Sequence, residues 1–369
     1  MNQIRNLTIR GFKSIKSLES FNLYDLNVLI GANGAGKSNF VSFFRMLNEM
    51  VEQRLQVWTQ KQGGADRILS FGIKETQQFS AGIRFGLNEY DIILEPTAEG
   101  GFIFSREQLY FSGPHFGITR PSLGSGHKES NLKKEMKGGV SANVASYCFN
   151  SISAWKVFHV HDTSETAGVK RQGSTHDYAY LRSDASNLAP FLFQLSKNFP
   201  ETYQQIRKTI SLAVPFFDDF IWKPQKLSSD SDEEQVRLLW RQQGSDYPLW
   251  PSQLSDGTIR FICLVTALLQ PQPPSTIIID EPELGLHPYA ITLLGALIRS
   301  ASKRMQIIVS TQSVPLLNEF SIEDLVVVER KEGGTIFNRL SQDEFKTWLE
   351  DYSVGELWEK NILGGRPEK

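Results

Sequence analysis

The sequence predicts an α/β fold: a mainly parallel sheet, an antiparallel β meander and a helical lobe. Three observations predict it. An apolar strand at 27–30 runs straight into a glycine-rich turn and then into helical spacing of Phe40, Phe43, Phe44, Leu47, Met50, Val51 and Leu55. The segments 79–85, 90–94 and 102–111 read as the strands of a meander. The last third alternates short, continuous apolar runs with helical patterns, which is how a parallel sheet covered on both faces reads.

The elements follow in order. Residues 2–10 read as a strand, 27–30 as a second, and 39–56 as one helix. The middle holds the meander and then 112–139, rich in Gly, Ser and Lys, expected as an exposed excursion. Its five Lys/Arg against two Glu make it mildly basic, so a solvated loop and a phosphate-backbone contact both stand as readings. Residues 155–160 read as a strand, 187–199 and 203–212 as helices, and 227–234 as an acidic, Ser-rich turn. A helix at 258–270 stops at Pro271. Strands at 276–279, 306–310 and 325–329 then alternate with helices at 289–303 and 345–361. Three stretches result: 1–62, a first lobe carrying the glycine turn; 63–251, a meander and helical insertion; and 252–369, a closing lobe.

Composition bounds the function. The chain has 369 residues, 40% apolar and 22% charged, enough for a large core and unlike a disordered chain. A net charge of −2 lacks the basic excess of a nucleic-acid binder, so any DNA or RNA contact is expected to be local or a partner's. Two cysteines build no disulfide framework, and Cys263, inside an apolar run, reads as a small core residue. The sequence has no signal-like start and no run of about 20 apolar residues, so a cytoplasmic protein with no membrane partner is expected. It shows no internal repeat and no sustained heptads.

Gly31-Ala-Asn33-Gly34-Ala35-Gly36-Lys37-Ser38 fits G-x-x-x-x-G-K-[ST] between a strand and a helix. The glycines let backbone N–H groups turn inward on phosphate oxygens, and the following helix adds its N-terminal dipole. Lys37 would reach the β- and γ-phosphates and the Ser38 hydroxyl would ligate Mg²⁺, so ATP with Mg²⁺ is the expected cofactor. Asp280 and Glu281 stand where a buried strand emerges, the edge at which ligands bind in doubly wound sheets. Asp280 is expected to hold the Mg²⁺ shell through water and Glu281 to polarise the attacking water as general base.

The order of phosphate loop, Leu254-Ser-Asp-Gly-Thr258, Asp280-Glu-Pro-Glu-Leu-Gly-Leu-His-Pro288 and Ser310-Thr-Gln-Ser313 resembles ATP-binding-cassette ATPases of the RecF/SMC/OLD branch. Ile9-Arg-Gly-Phe-Lys-Ser14 is similar to that branch's opening. The tail, with Trp348, Trp358 and Gly364-Gly-Arg-Pro367, looks like its compact bacterial AAA-type group without coiled-coil arms or Toprim domain. The resemblance is weak over 88–139. It implies a P-loop NTPase fold of the ABC-head kind. It also implies nucleotide contacts from Gly31, Asn33, Gly34, Ala35, Gly36, Lys37, Ser38 and Asn39, with Ser255 and Gly257 as a signature touching the γ-phosphate held by another copy. A homodimer with sandwiched ATP follows. So does a role as an ATP-gated switch with a separate nuclease or Toprim-like effector, in phage defence or DNA repair. The runner-up is a DNA-binding repair ATPase of RecF type; a transporter subunit and a non-hydrolysing scaffold fit less well. The branch's switch histidine falls at Gln312, which donates a hydrogen bond but carries no charge, so slower or partner-gated hydrolysis is expected. Its glutamine loop has no clear counterpart; His161-Asp162-Thr163 fills that place or is a polar strand end. His287 stands for an interface residue or for core packing.

Overall fold

A computed structural model describes residues 3–113, 117–138, 141–158, 162–227 and 232–365. Its centre is a six-stranded sheet in the spatial order Gly334–Arg339, Leu325–Lys331, Leu26–Ile30, Gln306–Thr311, Thr276–Asp280, Lys156–Phe158. All neighbours are parallel except the hairpin of Leu325–Lys331 with Gly334–Arg339. The continuous apolar runs follow from burial on both faces. Because side chains alternate along a strand, Val28, Ile30, Ile277, Ile279, Ile307, Val309, Leu325 and Val327 enter one core. Leu29, Ile278, Ile308, Val326 and Val328 enter a second core on the opposite face.

The first core is closed by the helices Leu188–Asn198, Pro200–Ala213, Asp256–Leu269 and Pro288–Ser302. The second is closed by the helix Lys37–Val51 and an antiparallel sheet ordered Ile15–Asn22, Asn6–Phe12, Phe79–Phe85, Asn88–Pro96, Phe102–Gly113, Gly117–Thr119, with Ser122–Gly124 also on Phe102–Gly113. Helix Lys37–Val51 thus lies between two sheets and buries Phe40, Phe43, Phe44, Met46, Leu47 and Met50. Phe44 packs edge-on against Phe40, Phe43 and Trp155, with ring centroids 5.2, 5.6 and 5.3 Å away. The fold is the expected one: a mainly parallel sheet with an antiparallel meander and a helical lobe.

Several elements differ from expectation. The helix expected over 39–56 ends at Val51, and Leu55–Lys61 is a separate short helix. Gln53 between them has φ 60°, a backbone that no helix continues through. The single helix expected over 345–361 is three short ones, Gln342–Phe345, Trp348–Asp351 and Val354–Glu359. Ser353 with Glu356 forms a capping box that starts the last of them afresh. The exposed excursion at 112–139 is partly folded. Glu107, fully buried, accepts hydrogen bonds from Tyr90 Oη (2.5 Å), Ser130 Oγ (2.6 Å) and Asn131 N–H (2.9 Å), and pairs with His127 Nε2 at 2.8 Å. A buried carboxylate needs that many partners, and they staple the excursion to the meander. Of the acidic turn expected at 227–234, residues 228–231 lie outside the described residues, and Glu234 begins the strand Glu234–Val236.

Cutting Phe44 to Ala removes a fully buried ring from the second core. Unfolding in urea should show a loss of about 3–5 kcal/mol; an unmoved midpoint contradicts this account of the core.

Candidate functional site

The parallel register builds the site. Asp280 pairs with Ser310, Ser310 with Leu29, and Thr311 with Ile30. Parallel strands end at one edge, so Gly31, Glu281 and Gln312, each the next residue after its strand, meet there. Gln312 joins the other two segments: its Nε2 donates to Asn33 Oδ1 at 2.5 Å and to Glu281 Oε1 at 3.2 Å. Glu281 has φ 47°, a backbone disfavoured for a residue with a β-carbon, and its N–H donates to the Ser310 carbonyl at 2.8 Å.

The loop 31–38 wraps its own lysine. Lys37 Nζ donates to the carbonyls of Gly31 at 2.6 Å and Ala32 at 3.1 Å. Burial lowers the pKa of the Lys37 ammonium, while Glu281, Asp280 and Glu283 pull it back up; the four charges therefore share one neighbourhood. Two glycines are fixed by sterics. A β-carbon on Gly31 would stand 2.2 Å from the Val328 carbonyl oxygen, and one on Gly36 (φ +116°) would stand 2.1 Å from Thr335 Oγ1. Thr335 Oγ1 donates to the Ala35 carbonyl at 2.8 Å and accepts from Ser14 Oγ at 2.7 Å, and Asn39 Nδ2 donates to Ser14 Oγ at 2.6 Å. Asn39, expected at the nucleotide, here fastens the helix to the first hairpin. Gly34 and Ser38 are exposed, Ala35 is buried, and helix Lys37–Val51 starts at Gly36 with no side-chain cap. Its first N–H groups and its dipole are left for an anion.

The acidic edge has a matching deficit. Asp280 Oδ1 and Ser310 Oγ are buried without a hydrogen-bond partner. Orphaned buried oxygens of this kind are rare, and they fit a hydrated cation held between the strand end and the loop. Glu283, which the motif reading passed over, accepts from Thr311 Oγ1 at 2.6 Å and from the Gln312 N–H at 3.1 Å, and so fixes the residue that carries the Gln312 side chain. Its Oε2 is also buried and unpaired, and burial raises its pKa. Arg45, on the helix after the loop, is within electrostatic reach of Asp280. Its place three residues before Asn48 on a buried face carries no motif, so sequence alone does not single it out.

The signature residues sit at the start of helix Asp256–Leu269. Ser255 is exposed and caps helix Asp256–Leu269, its Oγ accepting from the Thr258 N–H at 3.1 Å. A β-carbon on Gly257 would stand 2.1 Å from the Gly285 carbonyl oxygen, so this glycine permits close packing on the loop after Glu281. Among the described residues neither Ser255 nor Gly257 hydrogen-bonds to the phosphate loop. His287 is exposed and caps Pro288–Ser302 through Nδ1, which excludes the core-packing alternative. Asp162 closes a turn onto Ser164, and Thr163 is buried; His161 lies outside the described residues.

The family model described as "AAA domain, putative AbiEii toxin, Type IV TA system" matches residues 26–318, and the chain belongs to that AAA family. Two solved structures share the fold. One is an SMC head bound to the C-winged helix domain of ScpA, 14% identical, with TM-score 0.61, covering 93% of this chain and 99% of that one. The other is an SMC head with an extended coiled coil bound to the C-terminal domain of ScpA, derived from Pyrococcus furiosus, 13% identical, with TM-score 0.58, covering 95% of this chain and 99% of that one. No curated protein matches the chain at a significant level. The fold is therefore that of an SMC-type P-loop ATPase head, and the family is one of AAA-like ATPases.

Because burial raises the Glu283 carboxyl above its ordinary 4.5, folding favours the protonated form. Stability from this group is greatest below that value and is lost as pH climbs through the raised one. Glu283→Gln keeps an acceptor for Thr311 and removes the buried charge. It should unfold at a higher temperature than wild type near pH 8, with the gap closing near pH 4; a gap independent of pH contradicts the burial argument.

Proposed function

We propose that this chain binds and hydrolyses ATP at the 31–38 loop and acts as an ATP-gated dimeric switch. The observation that carries the reading is the contact of Gln312 with both Asn33 and Glu281, beside an ammonium that three carboxylates surround. A magnesium nucleotide would bring the γ-phosphoryl group and the charge that these residues are spaced to meet. The loop N–H groups and the uncapped helix start bind phosphate oxygens. Lys37 leaves the Gly31 and Ala32 carbonyls for the β- and γ-phosphates. Ser38 would ligate the metal and Asp280 would hold its hydration shell, its Oδ1 having no partner of its own. Glu281 takes a proton from the attacking water, and Gln312 orients that carboxylate.

Ser255 and Gly257 complete the site of a second copy. The exposure of Ser255 supports this, since a helix start that faces solvent can meet a phosphate carried by another chain. ATP would be buried between two heads, and its differential affinity for the closed pair would drive the switch. The output passes to a separate protein, a nuclease or Toprim-like effector in phage defence or DNA repair. The two SMC heads of the same fold are bound to ScpA domains, which supports an effector held in trans. No helix among the described residues is long and apolar enough to cross a membrane.

Lys37→Ala should abolish ATP binding in calorimetry, and unchanged affinity would reject the loop assignment. Glu281→Gln should retain ATP, lose turnover and collect as a dimer in light scattering. Adding Ser255→Arg to that variant should return it to monomer; a persisting dimer removes the signature role.

A further inference from the structure

The segment after Ser353 has no part in the site as described, yet it touches the phosphate loop. Helix Val354–Glu359 buries Leu357 and Trp358, and Leu363 follows them into the same core. At its start the Gly355 N–H donates to Asn318 Oδ1 at 2.8 Å. A β-carbon on Gly355 would stand 2.6 Å from that oxygen, so the approach requires glycine. Asn318 ends the short helix Val314–Leu317, whose N-cap is Ser313, the neighbour of Gln312. The segment therefore begins against the C-terminal end of the short helix that follows Gln312.

It ends against the loop. Gly364 and Gly365 have φ of +81° and +84°. A β-carbon on Gly365 would stand 2.8 Å from Trp358, and one on Gly364 would stand 2.8 Å from Glu329 Oε1. The Gly365 N–H donates to Glu329 Oε1 at 2.5 Å, and the Gly365 carbonyl accepts the Ala32 N–H at 3.0 Å. The Ala32 peptide is thus held from both sides, because its own carbonyl takes Lys37 Nζ at 3.1 Å. When Lys37 turns to a phosphate, the Gly365 side of that grip remains.

We propose that Val354–Gly365 is a strap that positions the phosphate loop, with Gly365 and Glu329 as positioning residues, and that it links loop occupancy to the Gln312 segment through Asn318. The inference rests on the nucleotide-site reading above. Glu329 has no contact with the nucleotide in this scheme; it acts through Gly365 on Ala32. The strap runs from the helix that follows Gln312 to the 31–38 loop, so a shift at one end is felt at the other.

The test uses the full chain and a non-hydrolysable ATP analogue with Mg²⁺. Glu329→Ala removes the acceptor for the Gly365 N–H and should weaken binding roughly tenfold, the scale of one hydrogen bond to a charged group. Glu329→Gln keeps an acceptor and should bind within about twofold of wild type. The nucleotide-free melting temperature should be the same in all three. In wild type, analogue should slow hydrogen exchange over 354–365; in Glu329→Ala it should not. Wild-type affinity in Glu329→Ala overturns the strap, as does a weakened Glu329→Ala that melts lower without nucleotide and is not rescued by Gln. Failure of wild type to bind analogue at all would reject the nucleotide site, and the strap with it.

Discussion

Burial of the parallel sheet on both faces is the constraint from which the site follows. A strand with apolar residues on both sides must run between two cores, and its connections must then pass outside the sheet. Five of the six strands therefore point one way and release their polar successors at one edge. Gly31, Glu281 and Gln312 are those successors. Their proximity comes from the register of hydrocarbon side chains such as Ile278, Ile308 and Leu29, and not from attraction among the polar groups themselves.

The polar edge carries a cost that the cores offset. Glu281 holds a left-handed backbone, and Asp280 Oδ1, Ser310 Oγ and Glu283 Oε2 are buried without partners. Each deviation costs about 1–3 kcal/mol in a folded protein. Such deficits concentrate where a ligand is expected to complete the bonding. The same edge is braced from three directions: the hairpin residue Thr335 on Ala35, Glu283 on the Gln312 backbone, and Gly365 on Ala32. The shape of the loop therefore depends on neighbours that are remote in sequence.

Much of this was legible in the chain. The loop 31–38 and the pair Asp280–Glu281 stood out because glycines spaced before Lys-Ser, and two carboxylates at the end of an apolar run, are short-range patterns. The parallel strands were legible from their unbroken apolar runs. Other parts were not. The strands Ile15–Asn22 and Gly334–Arg339 mix polar and apolar residues because each faces solvent along part of its length. Glu107 carried no motif, and its burial depends on Tyr90, His127, Ser130 and Asn131 arriving from other elements. The run 345–361 kept helical spacing, and local capping at Ser353 overrode it.

The sequence by itself determined the fold class, the phosphate loop and the two acidic residues, because each is a short-range pattern of periodicity, turn chemistry or charge. Tertiary structure alone decided that Gln312 touches Asn33, that Glu283 fixes Gln312, and that Gly365 holds Ala32. Those contacts join residues tens to hundreds of positions apart. Their distances are set by how two cores pack on one sheet, which no local pattern encodes.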